Sequence, residues 1–173
     1  MTDETVDLLR PVTWCEFADV PAVVSEWLAY RDSMTVRLET HCRRLDVEVT
    51  HEGFISPSAL GEALPLLPVS ERFWLREVTL YGDGRPWLFG RTVIPERTLQ
   101  ESNQALTQIG REPLGRYLFQ QGAPERDFIN PGRSGDLWAR RSRLRLAGHP
   151  LLLTEVFLPD APIYSPLSSD AER

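Results

Sequence analysis

Two tight-turn signals constrain this chain more than anything else in it. Between Phe73 and Ile94, runs rich in Leu, Val, Trp and Phe flank Gly82-Asp83-Gly84-Arg85, and an Asp-Gly pair between such runs is a strong local signal for a β-hairpin. Leu137–Leu146 and Pro150–Leu158 repeat the arrangement around Ala147-Gly148-His149. Upstream, Leu45, Val47 and Val49 alternate within Leu45–Phe54 and predict a further strand. Other stretches carry a different period. Val24, Trp27, Leu28, Met34 and Leu38 recur at three- and four-residue spacing, which places helices over residues 21–43, broken near Arg31–Ser33, with Pro21 suited to a first turn. Leu99–Gln120 reads as helical in two pieces, interrupted around Gly110–Pro113. The expected fold class is α+β, a single antiparallel sheet with helices packed on one face.

Strand parity then exposes an anomaly. Residues of one parity share a face of the sheet. Trp74, Val78 and Leu80 share theirs with Arg76; Trp87, Phe89 and Val93 share theirs with Arg91; Leu151, Leu153 and Phe157 share theirs with Glu155. Each stripe is apolar apart from one ionisable group. With Asp83-Gly84 as a two-residue turn, Gly82 faces Arg85, and the same register sets Arg76 directly across from Arg91. Like charges opposed on a sheet are destabilising, and unpaired buried charges more so. An anion is therefore expected between them: Glu155 for one arginine, and a ligand bearing two carboxylates for the rest, through bidentate charge-assisted bonds. The alternative is that the arginines emerge at a sheet edge in structural ion pairs. Arg140, Arg141, Arg143 and Arg145 look like a basic patch, but alternation splits them between faces, and they are expected to be solvated.

The 173 residues suffice for one domain with a substantial core. A net charge of −6 argues against nucleic acid as a partner. The absence of an apolar run long enough to span a bilayer, and an acidic start unlike a signal peptide, place the expected location in the cytoplasm without membrane insertion. Cys15 and Cys42 are expected as packed thiols, and His41, His51 and His149 have no spacing that makes a metal site. No organic cofactor motif is present. Residues 1–10 form an expected N-terminal extension and residues 165–173 a mobile tail.

The ordered segments DSMT (32–35), LPLLP (64–68), FWLRE (73–77), PWLFGRTVIP (86–95), PLGRYLF (113–119), RDFI (126–129), LWARRSRLRLAGHPLLLTE (137–155) and FLP (157–159) resemble the chorismate pyruvate-lyase family over about residues 11–164. One small departure is Ala139, where the family pattern has glycine. The resemblance implies a lyase that converts chorismate to 4-hydroxybenzoate and pyruvate for ubiquinone synthesis, with no metal or cofactor. It implies an internal ligand site beneath helical flaps, with ligand contacts at Met34, Arg76, Leu114 and Glu155, and Arg91 also at the site. Arg76 and Arg91 would anchor the anionic groups, and Glu155 would take the C4 hydroxyl and act either as base for the C4 hydrogen or as an orienting group only. Slow release of 4-hydroxybenzoate and a monomeric state are further expectations. Two alternatives are a non-catalytic aromatic-acid sensor module of similar fold, for which residues 1–20 are too short to carry a DNA-binding segment, and a lyase making a different hydroxybenzoate.

Overall fold

The computed structural model describes residues 11–102, 104–120 and 122–165; the expected N-terminal extension (1–10) and all of the tail beyond Ser165 lie outside these residues. Seven strands form one antiparallel sheet: β1 (Thr13–Trp14), β2 (Leu45–Ile55), β3 (Phe73–Gly82), β4 (Arg85–Pro95), β5 (Glu125–Ser134), β6 (Leu137–Leu146) and β7 (His149–Phe157). Their order is β1-β5-β6-β7-β4-β3-β2. Two sequential meanders, β2-β3-β4 and β5-β6-β7, are thus joined along the β4–β7 ladder at the centre of the sheet.

Both expected hairpins are present. Asp83 (φ 48°) and Gly84 (φ 81°) make the first turn, and Ala147 (φ 50°) and Gly148 (φ 81°) the second. Positive φ at both central residues matches the right-handed twist of the strands. The Asp83 carboxylate also accepts the backbone N–H groups of Arg43 (3.0 Å) and Arg44 (2.9 Å), which ties the start of β2 to the turn.

Among the described residues, four short helices, α1 (Ala22–Leu28), α2 (Met34–Glu39), α3 (Glu96–Glu101) and α4 (Leu114–Leu118), lie over one face. Trp27, Leu28, Met34 and Leu38 of α1 and α2 share a core with Leu80, Leu88, Trp138 and Phe157 of the sheet. Leu99 and Leu118 of α3 and α4 do so with Ile94, Leu144 and Leu151. The break expected near Arg31–Ser33 separates α1 from α2, and the Ser33 hydroxyl caps α2 by accepting from Val36 N–H at 3.3 Å. The opposite face carries a 3-10 segment, Pro57–Leu66, whose Leu60 packs with Phe73, Leu75, Val93 and Leu152. Among the described residues no helix is long and apolar enough to cross a membrane.

The register of the first hairpin corrects the sequence expectation. Gly82 does face Arg85 and Tyr81 faces Pro86, but Leu80 faces Leu88, so Trp87 is an extra residue in β4. From there on Arg76 pairs with Thr92, and Arg91 pairs with Glu77 rather than with Arg76. A one-residue bulge turns all that follows to the other face. Trp87 and Leu88, consecutive in sequence, consequently enter the same core. The Trp87 ring fills the space where a Cβ on Gly82 would sit. Phe89, Arg91 and Val93 therefore face away from Arg76.

Ala147 holds a left-handed backbone that costs an L-residue on the order of 1 kcal/mol. Ala147→Gly is expected to raise the melting temperature by roughly 2–4 °C, readable by thermal denaturation; a lower melting temperature would count against a strained Ala147.

Candidate active site

On the helix-covered face, β3, β6 and β7 bring Arg76, Arg140 and Glu155 together. Gly90 of β4 pairs with Glu155 of β7, and Glu155 pairs with Arg140 of β6. Arg76 stands one strand beyond β4, opposite Thr92. With strands about 4.8 Å apart, β3 and β7 are separated by roughly 10 Å, and the small residues Gly90 and Thr92 form the floor between them. Arg76, Arg140 and Glu155 are 1, 1 and 4% exposed. They line one cavity, walled by Val78, Leu80, Leu88, Leu144 and Leu153 of the sheet and roofed by Met34 of α2 with Leu114 and Leu118 of α4.

Four of the five residues singled out from the sequence, Met34, Arg76, Leu114 and Glu155, thus meet in this cavity. Arg91 does not join them, because the bulge at Trp87 sends it to the opposite face. There its Nε lies 3.6 Å from Glu77.

Two cavity residues escaped the sequence reading. Arg140, expected among solvated arginines, is buried; its Nε donates to Glu155 Oε1 at 2.7 Å and its Nη1 to Tyr30 O at 2.6 Å. Its position opposite Glu155 follows from the turn at Ala147-Gly148, so the pairing was available from register alone. Arg126 comes from β5, a strand that Asn130-Pro131-Gly132 disguises as a turn. A second bulge decides its direction. Arg126 pairs with Leu144 and Phe128 with Arg143, leaving Asp127 unpaired in the ladder. Arg126 accordingly faces the cavity, while Phe128 packs on the opposite side. Asp127 is gripped from outside by Arg143 (2.6 Å) and Arg145 (2.9 Å), whose hydrogen bonds, that of Arg145 foremost, hold its carboxyl below the usual range.

The cavity is electropositive, with three guanidinium groups against one lining carboxylate among the described residues. Arg76 has Glu52 at 3.1 Å and donates to Glu112 O at 3.0 Å. Arg126 donates to the Ser142 hydroxyl at 2.8 Å. Burial foremost, and then the neighbouring Arg140, lower its pKa to about 10, so it remains protonated at neutral pH. The Nε–H groups of Arg76 and Arg126 are buried without a partner among the described residues. Buried donors are rarely left unpaired, and these two border a space suited to an anion.

The roof is fastened by the same arginines. Arg140 binds the chain at Tyr30, between α1 and α2; Arg76 binds it at Glu112, just before α4. The two flaps meet where a Cβ on Gly115 would come within 2.9 Å of Thr35 Oγ1. Arg116 bridges them through Glu39 at 3.1 Å.

The family model for chorismate lyase matches residues 8–168. Chorismate pyruvate-lyase of Pectobacterium atrosepticum is 55% identical over 168 residues, 95% of this chain and 94% of that protein. The chain belongs to the chorismate lyase family. Chorismate pyruvate-lyase of Yersinia enterocolitica is 52% identical, over 95% of this chain and 99% of that one. Among solved structures, the ligand-binding domain of a putative GntR-family regulator from Bordetella bronchiseptica aligns with a TM-score of 0.48 and 14% identity, over 68% of this chain and 85% of that one.

The buried Arg140–Glu155 pair gives a stability prediction. Removing one partner strands a charge, whereas removing both can be nearly neutral. Arg140→Met is expected to cost about 3–5 kcal/mol in denaturant unfolding, and Arg140→Met with Glu155→Leu less than that. A double variant no more stable than the single one would contradict the pairing.

Proposed function

We propose that this member of the chorismate lyase family is a chorismate pyruvate-lyase, eliminating pyruvate from chorismate to leave 4-hydroxybenzoate. The observation that carries the reading is the pair of buried arginines, Arg76 and Arg126, offering unengaged Nε–H donors to one apolar cavity. Chorismate is a dianion with one carboxylate on the ring and one on the enolpyruvyl ether, and two cations on a hydrophobic floor match that pattern. Arg76 would hold one carboxylate and Arg126 the other, the part the sequence assigned to Arg91. Met34 and Leu114 would press on the ring, and Glu155 would accept the C4 hydroxyl.

The reaction breaks the C3–O bond and the C4–H bond, and the ring becomes aromatic. Aromatisation supplies the driving force, so the chemistry calls for no electron sink, metal or organic cofactor. Among the described residues Glu155 is the one carboxylate lining the cavity, and Arg140 already engages it at 2.7 Å. This favours a route in which Glu155 orients the C4 hydroxyl while the enolpyruvyl methylene takes the C4 hydrogen in a cyclic step. The C3–O electrons then form the carbonyl of pyruvate, and the hydrogen completes its methyl group. The protein contributes positioning, charge stabilisation and exclusion of water. Closure of the roof through Arg76 and Arg140 supports slow product release as a limit on turnover, and the chain is proposed to act as a cytoplasmic monomer.

Purified protein mixed with chorismate and a chelator is expected to give equimolar 4-hydroxybenzoate and pyruvate by chromatography. A different hydroxybenzoate would keep the site and change the regiochemistry; binding of 4-hydroxybenzoate without turnover would support a sensor. With chorismate deuterated at C4, the deuterium should appear in the pyruvate methyl group. Its loss to water would instead make Glu155 the base. Arg126→Met should lower kcat/KM by about 10–150-fold, the worth of a hydrogen bond to a charged group, with the melting temperature little changed. An unchanged kcat/KM would remove Arg126 from the site.

A further inference from the structure

Alternation along β4, β6 and β7 gives each member of the Gly90–Glu155–Arg140 row a neighbour in sequence that points the other way. Those neighbours, Arg91, Thr154 and Arg141, also pair across the three strands, with Thr154 between the two arginines. They line a second cavity of about 340 Å³ on the opposite face of the sheet. Its walls are apolar: Leu60 and Ala63 of the 3-10 segment, and Phe89, Val93 and Leu152 of the sheet.

The two arginines here are not fully engaged. The Nε atoms of Arg91 and Arg141 are buried and have no hydrogen-bond partner among the described residues. The carboxylates nearest them stop short of hydrogen bonds: Glu77 is 3.6 Å from Arg91 Nε and Glu62 is 3.8 Å from Arg141 Nη1. Glu62 is 69% exposed and accepts Trp14 Nε1–H at 3.2 Å, so it serves the rim. The Arg141 guanidinium is fixed over the Trp14 ring at 4.1 Å, and its side chain is only 12% exposed. Desolvation lowers its pKa, the sign of a cation short of compensation. Two strand spacings separate β4 and β6, roughly 10 Å, a gap that two arginine side chains can close over Thr154 from either side.

We propose that this cavity is a second ligand site, which takes a small carboxylate with an apolar or aromatic body. Arg91 and Arg141 hold the carboxylate with the Thr154 hydroxyl between them, and the body lies against Leu60, Phe89 and Leu152. The site is independent of the cavity that contains Glu155, and it does not depend on the reaction assigned to that cavity.

Arginine Nε–H groups give their own signals in proton–nitrogen correlation spectra, and benzoate is a simple probe of the proposed chemistry. Titrating benzoate into the labelled full chain should shift the Arg91 and Arg141 signals together, with a dissociation constant different from that followed by Arg76 and Arg126. Arg141→Gln should weaken the response at Arg91 at least tenfold while Arg76 and Arg126 respond as before. Shifts confined to Arg76 and Arg126 would overturn the second site and leave the first intact. A response at Arg91 that survives Arg141→Gln unchanged would also overturn it. Should Arg141→Gln fail to fold, the titration of the unaltered chain decides by itself.

Discussion

The hydrogen-bonded ion pair between Arg140 and Glu155 is the interaction on which the rest of the molecule turns. It joins β6 to β7 in the middle of the sheet and reaches through Tyr30 O to the flap above. Two charges taken out of water are tolerable only because each is compensated at short range. A carboxylate held in this way presents one fixed acceptor to the cavity, on a wall that cannot be repacked without exposing a charge. Preorganisation of the site and integrity of the core are therefore the same property here.

Closure follows from the same economy of groups. The roof consists of helices of five to seven residues, too short to be stable by themselves. Leucines hold them to the sheet, and arginines fasten the carbonyls at Tyr30 and Glu112. Because Arg76 both fastens a flap and borders the ligand space, a bound carboxylate and a closed roof draw on one guanidinium. On the proposed reading, residence of the ligand and opening of the roof would be linked through this shared side chain.

Much of this was legible in the residue order. The Asp83-Gly84 and Ala147-Gly148 turns specified both hairpins, and an ionisable residue on an apolar stripe singled out Arg76 and Glu155, which meet in one cavity, and Arg91, which does not. The resemblance added Met34 and Leu114, which parity had no means to place. What escaped was local. Asn130-Pro131-Gly132 concealed β5, and Arg140 was lost among four arginines of which the other three, Arg141, Arg143 and Arg145, face the opposite side. Bulges at Trp87 and Asp127 were invisible to parity, because a bulge depends on how a strand meets its neighbour rather than on its own composition.

Those two bulges have a consequence for how such a site can vary. One takes Arg91 out of the Glu155 cavity and the other brings Arg126 in, so the cations facing the cavity are chosen by the number of residues in two strands. Deleting a single residue beside Trp87 would present Arg91 where Gly90 and Thr92 now form the floor, with every side chain chemically unaltered. The charge pattern of the cavity is written partly in chain length. Across a set of related sequences, gaps at these two points would report a change of ligand more directly than substitutions within the lining.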